Sequence, residues 1–138
     1  MLNVTCALII NRGKLLVAQL SAESVHPLKW EFPGGKIKLN ESAEQCIKRE
    51  IKEELGILID VVAPIKPVIH DYGFRKVKLI PFVCKLKSGR ITLKEHEDFR
   101  WIKLNELLDF DLAEADKKLI EENRQVLKKY LGEKMDYT

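Results

Sequence analysis

Three glutamates, Glu50, Glu53 and Glu54, crowd into one short segment beside Lys48, Arg49 and Lys52. From Ser42 to Leu55 the apolar residues Ala43, Ile47, Ile51 and Leu55 recur every fourth position, which is one face of a helix. On a wheel of roughly 100° per residue with Ile47 at zero, Ile51 and Leu55 fall near ~40° and ~80°. Lys48, Lys52 and Arg49 fall near ~100°, ~140° and ~200°, and Glu53, Glu50 and Glu54 near ~240°, ~300° and ~340°. Glu50 with Glu54 and Lys48 with Lys52 are thus like-charge i,i+4 pairs, and only Arg49 with Glu53 opposes the trend. On an exposed helix such a pair costs only about 0.2–0.5 kcal/mol, so a solvated acidic face is tolerable. Partly buried, two carboxylates about 5 Å apart repel by roughly 3 kcal/mol, and a bound cation or a proton is needed. Glu54 borders the apolar stripe, which favours partial burial. Hard oxygen ligands without His or Cys suit Mg²⁺ or Mn²⁺, and Mg²⁺ keeps waters and substrate phosphates as its remaining ligands. Gly34-Gly35, just upstream, permits close backbone approach, supplying a carbonyl to a metal or amides to a phosphate.

The elements that must hold these groups follow from local pattern. Leu2 to Ile10 and Lys14 to Gln19 are strand-like runs joined by Asn11-Arg12-Gly13, a β-hairpin. Residues 20–31 read as a loop, and Pro33-Gly34-Gly35 as a turn. The acidic helix spans Ser42 to Leu55, with Asn40 or Ser42 placed to cap it and Gly56 to stop it. Ile57 to Val62, Val77 to Leu86 and Asp98 to Lys103 are strand candidates, with Pro64, Pro67 and Gly73 punctuating the interval between the first two. Ala113 to Leu131 carries Leu119, Ile120, Val126, Leu127 and Tyr130 on an amphipathic helix, followed by a polar tail. The order predicts an α/β (α+β) fold, a mixed sheet with helices on its faces.

The 138 residues predict one domain, 1–138, with a full hydrophobic core. Lys plus Arg is 24 and Asp plus Glu 21, a net +3 spread along the chain, which argues against a nucleic-acid partner. Val4 to Ile10 is far too short for a membrane span and lacks a signal peptide's basic leader and cleavage site, so no membrane partner is expected. Cys6, Cys46 and Cys84 form no C-x-x-C pair and read as small core residues in a reducing cytoplasm.

Gly35, then Glu41 after five residues, then Arg49-Glu50-Ile51-Lys52-Glu53-Glu54-Leu55-Gly56-Ile57 after seven more, resembles the Nudix box G-x5-E-x7-R-E-U-x-E-E-x-G-U (U aliphatic) over residues 35–57. No position departs from it. Trp30-Glu31-Phe32-Pro33-Gly34-Gly35-Lys36 is similar to the E-F-P-G-G-K lead-in of the MutT-like branch, which includes 8-oxo-dGTP and CTP pyrophosphohydrolases. The resemblance extends along nearly the whole chain through the opening hairpin, the Lys94-Glu95-His96-Glu97 loop, the Trp101 strand and a last helix opened by Ala115-Asp116.

That resemblance implies a mixed β-sheet sandwiched between helices and a Mg²⁺-dependent (Mn²⁺ as substitute) nucleoside triphosphate pyrophosphohydrolase releasing a nucleoside monophosphate and pyrophosphate. It implies a nucleotide-pool enzyme acting on (d)CTP, 5-methyl-dCTP or 8-oxo-dGTP, located in the cytoplasm as a monomer or homodimer. The alternatives are a Nudix hydrolase of ADP-ribose or a diadenosine polyphosphate, and a non-catalytic nucleotide-binding module. Carried over residue by residue, Glu50, Glu53, Glu54, Glu95 and the Gly34 carbonyl become metal ligands. Glu50 or Glu95 becomes the general base, Arg49 orients the carboxylates, and Glu41 stabilises the loop. Substrate contacts fall to Glu31, Phe32, Gly34, Gly35, Lys36 and Asp116. Asp116 stands where the prototype of the branch has asparagine, and Gln19-Leu20 where relatives commonly carry arginine. As a carboxylate Asp116 accepts from cytosine N4 or from guanine N1 and N2, and it donates only if protonated. Its plainer role is to sit in the first turn of the last helix, where the dipole favours it. Tyr72, Phe74 and Phe82 are candidates for base stacking or for core, and His26, His70 and His96 are expected to be loop residues without chemistry.

Overall fold

Alternate residues of the first strand turn to opposite faces of the sheet, and both sets are buried. In the computed structural model, which describes residues 1–132, β1 spans Leu2–Asn11. Cys6 and Leu8 join one apolar cluster, Ala7 and Ile9 the other. β2 (Lys14–Gln19) repeats the split, with Leu15 and Val17 on the first side and Leu16 on the second. A strand buried on both faces needs a cover on each. α1 (Ala43–Leu55) covers one face through Ile47, Ile51 and Leu55, packed with Ile57, Ile59, Phe82 and Cys84. α2 (Glu114–Tyr130) covers the other through Leu119, Ile120 and Leu127. The result is the expected mixed sheet between helices.

β1 runs antiparallel to β2 and parallel to β7 (Lys76–Ser88), with Leu2 opposite Val77 and Ile10 opposite Lys85. β5 (Leu58–Pro64) pairs antiparallel with β7, and β8 (Asp98–Ile102) with β2. A short 3₁₀ segment, Leu104–Asp109, leads towards α2. Among the described residues no helix is long and apolar enough to cross a membrane. The polar tail expected after the last helix, 133–138, lies outside the described residues.

Three readings need correction. The loop expected over residues 20–31 ends in a strand, β3 (Trp30–Glu31), on β2. Gly34 and Gly35 do not make a turn: Gly34–Lys36 is strand β4, antiparallel to β1 with Thr5 opposite Gly35. Neither glycine has positive φ. What Gly34 needs is space, because a Cβ there would lie 2.7 Å from Cys6 Cα and from the Thr5 carbonyl carbon. The third is β6 (Val68–Asp71), a strand on β7 within the interval punctuated by Pro64, Pro67 and Gly73, where the sequence reading named no strand.

Candidate active site

α1 is defined at both ends. Ser42 caps it, its hydroxyl accepting from the Gln45 N–H at 3.0 Å while Gln45 Oε1 accepts from the Ser42 N–H at 2.9 Å. Gly56, at φ 67°, adopts the left-handed stop that glycine tolerates best. With Ile47, Ile51 and Leu55 locked in the core, the acidic arc is fixed on the flank facing β4.

Arg49 organises that arc. Its Nε and Nη2 donate to the two oxygens of Glu41 at 2.6 and 3.0 Å, a bidentate fork. Nη1 donates to Glu50 Oε1 at 2.8 Å and to Glu53 Oε2 at 3.1 Å, and Nη2 also reaches the Lys36 carbonyl at 3.3 Å. The Arg49 fork and the Lys38 N–H together hold the Glu41 carboxyl down at about 2. The Arg49 guanidinium, bonded chiefly to Glu41, is held still more firmly charged. Glu50 is 15% exposed and packs its carboxylate against the bare face of Gly35, where a Cβ would lie 2.5 and 2.6 Å from its oxygens. Glu53 is 48% exposed.

A loop is stapled to the end of the helix. The Thr92 and Lys94 N–H groups donate to the carbonyls of Leu55 and Glu54 at 2.9 and 3.3 Å, using backbone acceptors the helix leaves free. The Glu97 N–H donates to the Gln19 carbonyl at 2.9 Å, tying the loop to β2. Glu95 is thereby brought beside Glu54. Burial, then the charges of Glu95 and Glu50, push the Glu54 carboxyl above its ordinary range. Glu54, Glu95, Gly34, Ser24, His96 and Glu31 line a cavity of about 180 Å³.

Glu31 also lines a second cavity of about 180 Å³, whose wall includes Asp116, Tyr72, Phe74, His26 and Arg75. His26 and Tyr72 lie with ring centroids 4.4 Å apart, and the Tyr72 hydroxyl accepts from the Ala115 N–H at the start of α2 at 2.9 Å. Asp116 is buried, and its Oδ1 accepts from the Phe32 N–H at 2.9 Å. Burial and the Glu31 charge push the Asp116 carboxyl well above its usual range, outweighing that hydrogen bond. His96 Nε2 lies 3.0 Å from Glu31 Oε2. Burial pulls the His96 imidazole down, but Glu31, Glu54 and Glu95 outweigh it and leave the net shift upward.

The predicted site residues therefore separate. Glu31, Gly34, Glu54, Glu95 and Asp116 line the two cavities, which share Glu31. Glu41, Arg49, Glu50, Glu53 and Gly35 form the adjoining ion-paired cluster. The Phe32 side chain is buried in the α2-side core and meets Asp116 only through its backbone. Lys36 is exposed, and its carbonyl, not its ammonium, joins the cluster. The sequence reading gave His96 no chemistry and did not single out Ser24. The adjacency of His96 to Glu95 was the available signal, but only the loop's anchorage to β2 shows that it reaches Glu31.

Among the described residues no group of three or more His, Cys, Asp or Glu side chains is gathered closely enough to hold a metal ion by itself. The donor set nonetheless fits a hard divalent cation that is completed by waters and phosphate oxygens. Glu54 is crowded by Glu95 and Glu50, a charge excess a cation would relieve. Ala7 N–H donates to the Pro33 carbonyl and Ile37 N–H to the Asn3 carbonyl, so the odd-numbered residues of β4 face β1. The Gly34 carbonyl consequently points away from β1.

A NUDIX domain profile matches residues 1–122. The chain is 35% identical over 121 residues to the CTP pyrophosphohydrolase of Escherichia coli (strain K12), covering 88% of this chain and 90% of that protein. It is 30% identical over 125 residues to an 8-oxo-dGTP diphosphatase of Buchnera aphidicola subsp. Schizaphis graminum, covering 91% and 95%. Among solved structures, the E. coli ORF135 protein superposes with a TM-score of 0.78 at 33% identity, covering 91% of this chain and 90% of that one. The MutT protein from Methanosarcina mazei Go1 gives 0.83 at 27% identity, covering 92% and 95%.

Proposed function

The chain belongs to the NUDIX family, hydrolases of phosphoric anhydride bonds, and from that premise we propose a Mg²⁺-dependent pyrophosphohydrolase that splits a nucleoside triphosphate into monophosphate and pyrophosphate. The observation that carries this reading is the pair of cavities that share Glu31 in their lining, one lined by Glu54, Glu95 and Gly34, the other by aromatic rings and Asp116. One suits metal-bound phosphates, the other a flat base. The residues that would hold a divalent cation are Glu50, Glu53, Glu54, Glu95 and Gly34 through its carbonyl. Bound there, the cation supplies charge neutralisation on the phosphates and acidifies attacking water.

The protein's own contribution is positioning and proton transfer. Arg49 fixes Glu50 and Glu53 against Glu41, so the carboxylates are oriented before substrate arrives. Attack on phosphorus requires a carboxylate to take the water proton. Glu50 commits one oxygen to Arg49, whereas Glu95 has no ion pair among the described residues, which favours Glu95 over Glu50 as the base. Departure of the leaving group, pyrophosphate or monophosphate according to which phosphorus is attacked, then completes the reaction.

In the base cavity, burial and the Glu31 charge favour the neutral Asp116 carboxyl, whose O–H would donate, while Glu31 offers an acceptor. The Watson–Crick edge of cytosine presents the matching donor at N4 and acceptors at N3 and O2, so we place a cytosine triphosphate first. 8-Oxo-dGTP is the second reading, favoured by the relative named for that substrate. The protein is read as one domain over 1–138, acting in the cytoplasm as monomer or homodimer. A panel of NTPs, dNTPs, 5-methyl-dCTP, 8-oxo-dGTP and ADP-ribose, with products resolved, tests the assignment. Monophosphate and pyrophosphate from a cytosine or 8-oxoguanine triphosphate is expected. Turnover of ADP-ribose alone would move the chain to another Nudix activity, and no turnover at all would leave a binding module.

A further inference from the structure

Among the described residues Glu31 is the one that lines both cavities, so the direction of its carboxylate bears on what either can hold. Its backbone is fixed: Glu31 pairs with Ala18 across β3 and β2, and the next N–H, that of Phe32, is held by Asp116. The side chain is not fixed by those bonds, because a glutamate turns about several single bonds and this one is 25% exposed. A swinging carboxylate reads a base poorly, since an acceptor discriminates only when it is held where the donor arrives. The side chain that holds it is His96, whose Nε2 lies 3.0 Å from Oε2. A carboxylate only accepts, so Nε2–H donates in that contact and leaves Oε1 to a ligand's donor.

His96 is itself held still. Its side chain is 7% exposed, and its loop is tied down on either side, by the Lys94 N–H on the Glu54 carbonyl at 3.3 Å and the Glu97 N–H on the Gln19 carbonyl at 2.9 Å. Although Glu95 is its neighbour in the chain, the ring's hydrogen bond goes to Glu31, 65 positions away. Burying an imidazole is costly unless its polar atoms are used, and this ring uses Nε2 on Glu31. We infer that His96 is a positioning residue that sets base specificity by fixing the Glu31 carboxylate. It acts through Glu31 rather than on the reacting atoms. The inference rests on the nucleoside triphosphate reading with cytosine as the base.

The test compares kcat and KM for CTP and UTP in the wild type, His96→Leu, His96→Gln, Glu31→Ala and the variant carrying both Glu31→Ala and His96→Leu. The wild type should favour CTP by at least about tenfold, because Glu31 accepts from the cytosine N4 amino group and meets only another acceptor, O4, in uracil. His96→Leu should cut that preference by about tenfold, chiefly through KM for CTP, and His96→Gln, which keeps an N–H donor, should retain most of it. With Glu31→Ala already in place, His96→Leu should change the ratio no further. NMR of the wild type without substrate should show a slowly exchanging ring proton on Nε2 that Glu31→Ala abolishes. An undiminished CTP preference in His96→Leu, an equal fall in kcat for both nucleotides, an additive loss in the double variant or a missing Nε2 proton would overturn the positioning role. Wild-type turnover of CTP and UTP alike, or of neither, would instead strike the cytosine reading and the specificity role with it, while the Nε2 proton would still report on the contact.

Discussion

Replacing Gly35 by alanine separates the positioning of Glu50 from the stability of the fold. The backbone there lies outside the left-handed region, so alanine is conformationally acceptable and only space opposes it. The new Cβ would sit 2.5 and 2.6 Å from the Glu50 oxygens, and ordinary contact begins near 3.4 Å. The carboxylate must therefore withdraw by about 1 Å, which a side-chain end achieves by rotation. Loss of the Glu50 bond to Arg49 costs about 1 kcal/mol, and the stiffer unfolded chain returns about 0.4–1 kcal/mol, so Tm should barely change. A displacement of about 1 Å in a residue that positions the catalytic cation costs on the order of 100-fold in rate, or about 2.7 kcal/mol of barrier. Gly34→Ala is the control, because its Cβ meets the β1 backbone, which cannot yield without parting β1 from β4. That overpacking costs about 1–3 kcal/mol or more and several degrees of Tm. The assay is steady-state hydrolysis beside thermal unfolding of both variants. Gly35→Ala with unchanged Tm and kcat within about threefold of wild type would refute the claim that Glu50 must rest against a bare glycine.

The ionic groups give further expectations. Because Glu54 is raised by burial and by Glu95 and Glu50, its ionised form destabilises the metal-free fold. Glu54→Gln should therefore be the more stable protein at neutral pH without divalent metal. The difference should shrink as pH falls through the raised folded-state value to the ordinary carboxylate range, as read by thermal melts across pH. Glu41 has the opposite sign: held at about 2, it stabilises the fold above 4.5 and loses that effect as pH falls towards 2, so the gap between wild type and Glu41→Gln should close over that window. Arg49→Lys replaces a fork serving Glu41, Glu50 and Glu53 with a point charge, and should lower kcat by about 10–100-fold at nearly unchanged circular dichroism. Asp116→Asn keeps an acceptor for the Phe32 N–H and relieves a buried carboxyl, so it should preserve Tm while shifting base preference in the substrate panel.

The acidic helix was legible because its signals are local: a four-residue apolar spacing, a capping serine and a stopping glycine lie within fifteen consecutive positions. The opening hairpin was legible for the same reason. β3 and β4 hold two and three residues, too few to show a period, and both exist only because β2 and β1 lie alongside. β6 hides between Pro67 and Gly73 and is defined by pairing with β7. In the site, the Glu50 to Glu54 spacing was readable on a wheel. The contact of His96 with Glu31 joins residues 65 positions apart and depends on where a loop is anchored.

The central claim is that the glutamate-walled cavity hydrolyses a nucleoside triphosphate. Phosphorus NMR of the preferred triphosphate with wild type and Glu54→Gln, each with Mg²⁺ and with EDTA, tests it most directly. Monophosphate and pyrophosphate are expected from the wild type with Mg²⁺ alone, and at most residual turnover from Glu54→Gln. Full activity in Glu54→Gln, or turnover unaffected by EDTA, would contradict it.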